Sequence, residues 1–249
     1  MFDLKGKVAI ITGGSGGIGE AAVRMFHQLG ASVIIGDIQV EAGEALAREL
    51  GDKVIFSQLD VTDGEGWTRT IDKAEAVFGP VNVLVNNAGH SGHQKPITEL
   101  SLEEYRLNCA INQDGVFLGM KLVLPSMLRA GGGSIVNNSS GYGLVGVANL
   151  MDYCASKWAV TGMTKAAAVE FAHLNVRVNS VHPGLVLTPM VDRTMKLLGA
   201  EADVYISRMP LNRGAAPSEI ASVFAFLASD ASSFMTGSAV AADGGLTAQ

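Results

Sequence analysis

Seven short apolar, β-rich runs, each followed by a stretch of helical character, constrain the fold of this 249-residue chain more than any other feature. The runs are KVAIITG (7–13), SVIIGD (32–37), VIFSQLDV (54–61), VNVLVNNAG (81–89), GSIVNNSS (133–140), NVRVNSVHPG (175–184) and SAVAADGG (238–245). Between them lie the helical stretches 18–29, 40–50, 64–78, 101–129, 153–173 and 217–229. Strands that are apolar on both faces belong in a parallel sheet covered by helices. Strand–helix alternation predicts an α/β, doubly wound, seven-stranded parallel sheet of Rossmann type with helices on both faces. No proline-rich or serine-rich linker interrupts the pattern, so residues 1–249 are expected to form a single dinucleotide-binding catalytic domain. In such sheets ligands sit beyond the carboxyl ends of the strands.

Composition narrows the functional classes. Hydrophobic residues make up 48 % of the chain, enough to fill a large core. No apolar run approaches the roughly 18 residues of a membrane helix, so no membrane partner is expected. A formal net charge of −6 argues against nucleic acid, whose phosphates select basic faces. Two cysteines, Cys109 and Cys154, are too few for a disulfide framework, and the N-terminal run leads straight into a glycine motif rather than a cleavage site. The expected home is the reducing cytoplasm.

The glycine motif is TGGSGGIG, Thr12 to Gly19, with Gly13, Gly17 and Gly19 at the turn from the first strand into a helix. Glycines let phosphate oxygens approach the backbone, and the helix behind them aims free N–H groups at an anion. In this context the turn predicts dinucleotide binding. Strand two ends at Asp37, where a carboxylate accepts from the adenosine ribose hydroxyls and repels a 2′-phosphate. Neither Gly16 nor Ile38 adds positive charge, so NAD is the expected cofactor. Asp60, at the end of strand three, reads either as a partner of the adenine amino group or as a turn-initiating aspartate in DVTDG.

Tyr153 and Lys157 stand four apart in YCASK, on one helix face. Together with TGGSGGIG, NNAG (86–89), Ser140 and HPG (182–184), they resemble the short-chain dehydrogenase/reductase family over nearly the whole chain, Gly6 to Gly245. The resemblance implies hydride transfer with a nicotinamide cofactor and a homotetramer paired through helices 101–129 and 153–173 and the last strand. It implies Tyr153 as the acid/base, with Lys157 and Ser140 as partners and Asn112, in INQDGVF, as the fourth member. Ser140 is preferred over Ser139 because it lies 13 residues before Tyr153, the family spacing. It also assigns Ser15, Ile18, Val61, Asn86, Asn87 and Gly89 to the cofactor, and Pro183, Gly184, Val186 and Thr188 to the nicotinamide carboxamide. Tyr153 and Lys157 are expected to touch the cofactor as well.

The chemistry suits these residue types. A free phenol has a pKa near 10 and is a poor base at neutral pH. Lys157 and a positive nicotinamide ring are expected to favour the phenolate, which calls for about 4 kcal/mol of preferential stabilisation. Ser140 would donate to the substrate oxygen, and Asn112 would hold a water leading from Lys157 to solvent.

The segment 189–210 holds Met190, Met195, Leu197, Leu198 and Met209 and reads as an adaptable substrate lid. Ser91, Tyr142, Leu144, Val145, Asn149 and Met151 are candidate walls. No arginine waits for a substrate carboxylate, so a neutral hydrophobic secondary alcohol or ketone is the expected small-molecule substrate. Within the family some segments are similar to (R)-specific secondary alcohol dehydrogenases, notably INQDGVF and the ending DGGLTAQ. Others, such as YCASKWAVTGMTK, are similar to hydroxysteroid dehydrogenases. The first likeness implies a Mg²⁺ ion at a subunit contact near Gln249. The competing expectations are a 3-oxoacyl carrier-protein reductase and a non-catalytic NAD-sensing protein. His182 and Cys154 are expected to be satisfied by packing and backbone, and Trp67 and Trp158 to lie in core or interface.

Overall fold

In the computed structural model, which describes residues 3–189, 191–192 and 206–248, the seven runs become seven strands of one sheet. These are β1 (Val8–Thr12), β2 (Ser32–Asp37), β3 (Val54–Gln58), β4 (Val83–Asn86), β5 (Gly133–Asn138), β6 (Val176–Pro183) and β7 (Ala239–Ala242). Their order is β3-β2-β1-β4-β5-β6-β7, and every neighbouring pair is parallel.

Period-two alternation sorts the core onto two sides. Ala9, Ile11, Val33 and Ile35 face one cluster, which they share with Phe26, Leu46 and Phe224. Val8, Ile10 and Ile34 face the other, with Trp67, Val116 and Val160. The first side is covered by α1 (Gly17–Gln28), α2 (Val40–Leu50) and α7 (Pro217–Ala228). The second is covered by α3 (Gly64–Phe78), α5 (Gly115–Arg129) and α6 (Met151–Phe171). Trp67 is fully buried here, whereas Trp158 on α6 is 50 % exposed.

The strands are shorter than their apolar runs at the carboxyl ends. NNAG and NNSS leave the ladder after one and two residues, DGG lies wholly beyond it, and those freed residues form the cleft. The chain builds β1 to β3 outward on one side, then crosses to lay β4 beside β1. The switch point therefore lies between the glycine turn after β1 and the NNAG turn after β4, where a crevice opens.

One helix differs from expectation. The stretch 101–129 is broken into α4 (Leu102–Cys109), a π-helical turn (Ala110–Asp114) and α5. A π-turn needs a compensating contact to hold it, and such turns mark functional sites. The contact here is Asn112, fully buried at its centre.

Candidate active site

At the cofactor end, backbone geometry does most of the positioning. Gly17 has φ +55, and a Cβ on Gly19 would lie 1.9 Å from the Gly13 carbonyl oxygen, so neither accepts a side chain without moving the turn. Space for a Cβ on Gly16 is open, with nothing within 4 Å. Gly16 is the N-cap of α1 and offers no side-chain cap, which leaves the first N–H groups of the helix to an anion. Ser15 Oγ is buried without a partner among the described residues. Bare backbone, free N–H groups and an orphan hydroxyl fit a pyrophosphate.

Asp37 is 6 % exposed and accepts from the Ser15 N–H at 3.0 Å and the Gln39 N–H at 3.0 Å. It thus faces the glycine turn as a fixed negative charge. Neighbouring cations are engaged elsewhere: Arg24 with Glu20 and Glu49, Arg48 with Glu44, Arg69 with Asp63. Asp60 Oδ1 accepts from both the N–H and the hydroxyl of Thr62, the contacts of a turn-initiating aspartate. Val61 is buried, and its carbonyl accepts from the Trp67 indole at 3.0 Å.

The turns after β1 and β4 are sewn together. The Thr12 hydroxyl accepts from Asn87 N at 2.9 Å and Ala88 N at 3.0 Å, while Asn87 Nδ2 donates to the Thr12 carbonyl at 3.0 Å. Asn86 lies deeper, donating to Asn137 Oδ1 at 2.9 Å inside the core, so its side chain supports the sheet. Pro183 ends β6, and a Cβ on the following Gly184 would meet the Asp243 carbonyl oxygen at 2.6 Å. Val186 is buried and bridges to Ala215, and the Thr188 side chain lies across from Gly17. Ile18 packs partly buried behind the turn.

At the catalytic end, α6 begins at Met151 and carries Tyr153 and Lys157 in its first two turns. Lys157 Nζ lies 5.6 Å from the Tyr153 ring centroid. It donates to the Asn138 carbonyl at 2.9 Å. A Cβ on Gly89 would lie 3.1 Å from Asn112 Oδ1 and 3.6 Å from Lys157 Nζ, so these three groups meet. Ser140 hydrogen-bonds Tyr153 and accepts from Tyr142 N at 3.2 Å. Ser139 turns the other way, donating to the Lys157 carbonyl at 3.0 Å, which makes it a support of α6. Of the two serines, Ser140 is the one beside Tyr153.

In the chain by itself, burial pushes the Tyr153 phenol above its ordinary value, and the Ser140 hydrogen bond pulls it down. Burial of Lys157 brings its ammonium from 10.5 to about 8, and its proton is directed at the Asn138 carbonyl. The tyrosine is thus held protonated at neutral pH.

Asn112 is tied on all sides. Its Oδ1 accepts from His90 N at 2.7 Å, and its Nδ2 donates to the His90 carbonyl at 2.9 Å, Asn108 Oδ1 at 2.7 Å and Ser156 Oγ at 3.1 Å. Asn108 in turn donates to Asp152 at 3.1 Å. Asp152 is 1 % exposed, receives the Tyr153 N–H at 2.8 Å, and pairs with His93 Nδ1 at 2.8 Å. This network fastens the 90–95 loop to the start of α6. The sequence motifs single out neither Asp152 nor Asn108, Ser156 or Asn138. Asn108 stands one turn before Asn112, and Asp152 next to Tyr153.

Of the lid, Met209 is described and buried, while Met190, Met195, Leu197 and Leu198 lie outside the described residues, as does Gln249 with its Mg²⁺ expectation. Among the described residues no group of three or more His, Cys, Asp or Glu is placed to hold a metal, and no helix is long and apolar enough to cross a membrane.

The family model described as enoyl-(acyl carrier protein) reductase matches residues 13–247. The chain is 44 % identical, over 99 % of its length and 98 % of the other, to an NADP-dependent (R)-specific alcohol dehydrogenase of Lentilactobacillus kefiri. It is 42 % identical, over 98 % of its length and 91 % of the other, to a 3-alpha-(or 20-beta)-hydroxysteroid dehydrogenase of Mycobacterium tuberculosis. The crystal structure of levodione reductase superposes with a TM-score of 0.94 at 34 % identity, covering 98 % of this chain and 99 % of that one.

Proposed function

The chain belongs to the short-chain dehydrogenase/reductase family, and from that premise we propose that it interconverts a neutral hydrophobic secondary alcohol and its ketone with NAD(H), using Tyr153 as acid and base. The observation that carries the reading is the convergence of Ser140, Tyr153, Lys157 and Asn112 at the strand ends beside the glycine turn.

The glycine turn with the start of α1 would hold the pyrophosphate, and Asp37 the adenosine ribose. Lys157, beside Gly89, would hold the nicotinamide ribose. When bound, the nicotinamide accepts or supplies the hydride. The chain's own residues handle the proton. In reduction the protonated Tyr153 gives its Oη proton to the substrate oxygen as that oxygen gains charge, and Ser140 donates a second hydrogen bond to it. In oxidation Tyr153 Oη takes the hydroxyl proton. Lys157 restores the tyrosine's proton balance through the polar groups around Asn112.

NAD is favoured because the buried Asp37 charge faces the glycine turn while the nearby arginines are paired. Against it stands the relative whose name specifies NADP. The substrate reading draws on relatives that act on secondary alcohols and steroids. Exposed apolar side chains on α4, α5 and α6, among them Leu107, Phe117 and Trp158, favour a homotetramer.

The test measures initial rates with NADH and NADPH across aliphatic, aryl, cyclic and steroid ketones, for the native chain and Tyr153→Phe. The native chain should prefer NADH and bulky neutral ketones. Tyr153→Phe should lose turnover by about 10²–10⁴-fold while keeping its NADH affinity. Persistent turnover in Tyr153→Phe would overturn the acid/base assignment.

A further inference from the structure

His182 is a buried titratable group that the proposed chemistry does not use. It lies near the end of β6, is fully buried, and both its ring nitrogens are occupied. Nδ1 lies 2.8 Å from the backbone carbonyl oxygen of Ser140, and Nε2 lies 2.8 Å from Ser180 Oγ. A carbonyl oxygen only accepts, so Nδ1 must carry the proton. In the neutral ring Nε2 then has a lone pair, and Ser180 donates to it.

We propose that His182 is a positioning residue for Ser140: its Nδ1–H anchors the Ser140 carbonyl, and so aims the Ser140 hydroxyl at Tyr153. This rests on the reading of Ser140 and Tyr153 given above. Ser140 caps a three-residue 3₁₀ turn, Gly141–Gly143, in extended backbone, and within the turn its hydroxyl has one contact, from Tyr142 N at 3.2 Å. The anchor beneath it comes from the neighbouring strand, a rigid element that serves positioning better than a loop.

The surroundings keep the anchor in one state. Burial lowers the pKa of His182 and outweighs the hydrogen bond to the Ser140 carbonyl, which raises it; the charges of Lys157 and Lys165 act with burial, and Asp243 opposes them. The neutral, single-tautomer ring therefore persists through the working pH range. The link onward is specific. The Ser140 hydrogen bond is what opposes burial at the Tyr153 phenol. A displaced Ser140 should let that phenol rise further.

The experiment compares His182→Leu, which removes both ring contacts, with His182→Asn, whose amide can restore the donor near Nδ1. Measured for each are kcat and KM for alcohol oxidation from neutral to alkaline pH, NADH affinity by fluorescence, and thermal stability. His182→Leu should lose kcat by about 100-fold, the scale of a misplaced catalytic group, with NADH affinity unchanged. Its alkaline limb should move to higher pH. His182→Asn should recover to within about fivefold of native, with the limb in place. Should His182→Leu fail to fold, Ser180→Ala takes its place, with a smaller move of the limb in the same direction. An unmoved limb, or equal losses of rate and stability in both His182 variants, would overturn the proposal by reducing His182 to packing. Tyr153→Phe runs alongside: turnover surviving there sinks the reading of the site itself, whatever the His182 variants do.

Discussion

The two ends of the cleft are built on different principles. The cofactor end is local and made of backbone. Gly13 to Gly19 follow one another in sequence, and their acid, Asp37, is one strand away and bound to the Ser15 N–H. The catalytic end is assembled from distant segments by side chains. Asn138 accepts from Lys157, Asn112 bonds His90 and Ser156, and Asp152 holds His93 and Asn108. A phosphate is large, diffuse and well served by N–H groups that any residue supplies. A proton transfer needs particular atoms within hydrogen-bond reach, and only specific side chains can be placed that closely. The catalytic end therefore spends buried polar groups, and each must find its partner.

The sharpest way to break the contrast is Lys157→Met. Turnover should fall by about 10²–10⁴-fold, since the proton path loses its cation. Stability should move the other way. The buried ammonium has its pKa lowered from 10.5 to about 8, so the folded state disfavours the charge by about 3 kcal/mol below pH 8. Between these values the unfolded chain holds a proton that the folded chain has released, so native stability rises with pH across that window. The methionine variant removes this cost but strands the Asn138 carbonyl, leaving a net gain of about 1–2 kcal/mol near neutral pH. Denaturant unfolding of the cofactor-free protein at pH 7 and pH 10 checks it. A variant less stable than native at pH 7 would mean that the lysine supports the fold as well as the chemistry.

At the cofactor end, Gly19→Ala puts a Cβ 1.9 Å from the Gly13 carbonyl and should cost about 1–3 kcal/mol with a matching loss of NADH affinity. Titration calorimetry with NADH and a thermal melt measure the two effects. Unimpaired NADH binding would show that the turn is softer than its geometry implies.

Asp37→Asn removes the charge and keeps one of the two oxygens that accept from the Ser15 and Gln39 N–H groups. NADPH use should improve by about tenfold relative to NADH, read as the ratio of kcat/KM values. An unchanged ratio would place cofactor choice elsewhere.

The smallest expected effect concerns pH. Because burial raises the Tyr153 phenol, oxidation should speed up toward alkaline pH as the phenolate forms, while reduction should be flat or falling over the same range. Paired pH profiles in both directions test this, and an oxidation rate independent of pH would remove the tyrosine from the proton step.

Most of the fold was legible because each signal is local. Apolar runs such as KVAIITG and SVIIGD declared strands, and the later split of the core into two clusters follows from their period of two. Tyr153, Lys157 and Ser140 were legible by motif and spacing. Asp152, Asn108 and Ser156 were not, because a lone polar residue on a helix has the same appearance whether it meets water or a buried partner. The break of helix 101–129 at Asn112 was hidden for the same reason: the partner of Asn112 there is His90, 22 residues away.

The sequence by itself determined the sheet, its parallel order of strand and helix, and the glycine turn, since periodicity and glycine's conformational freedom act over a few residues. The tertiary structure alone decided the charge states. It buried Lys157 and partly buried Tyr153, so that desolvation acts on both, and it set His182 beneath Ser140. Desolvation depends on everything packed around a group, and no spacing along the chain reports that.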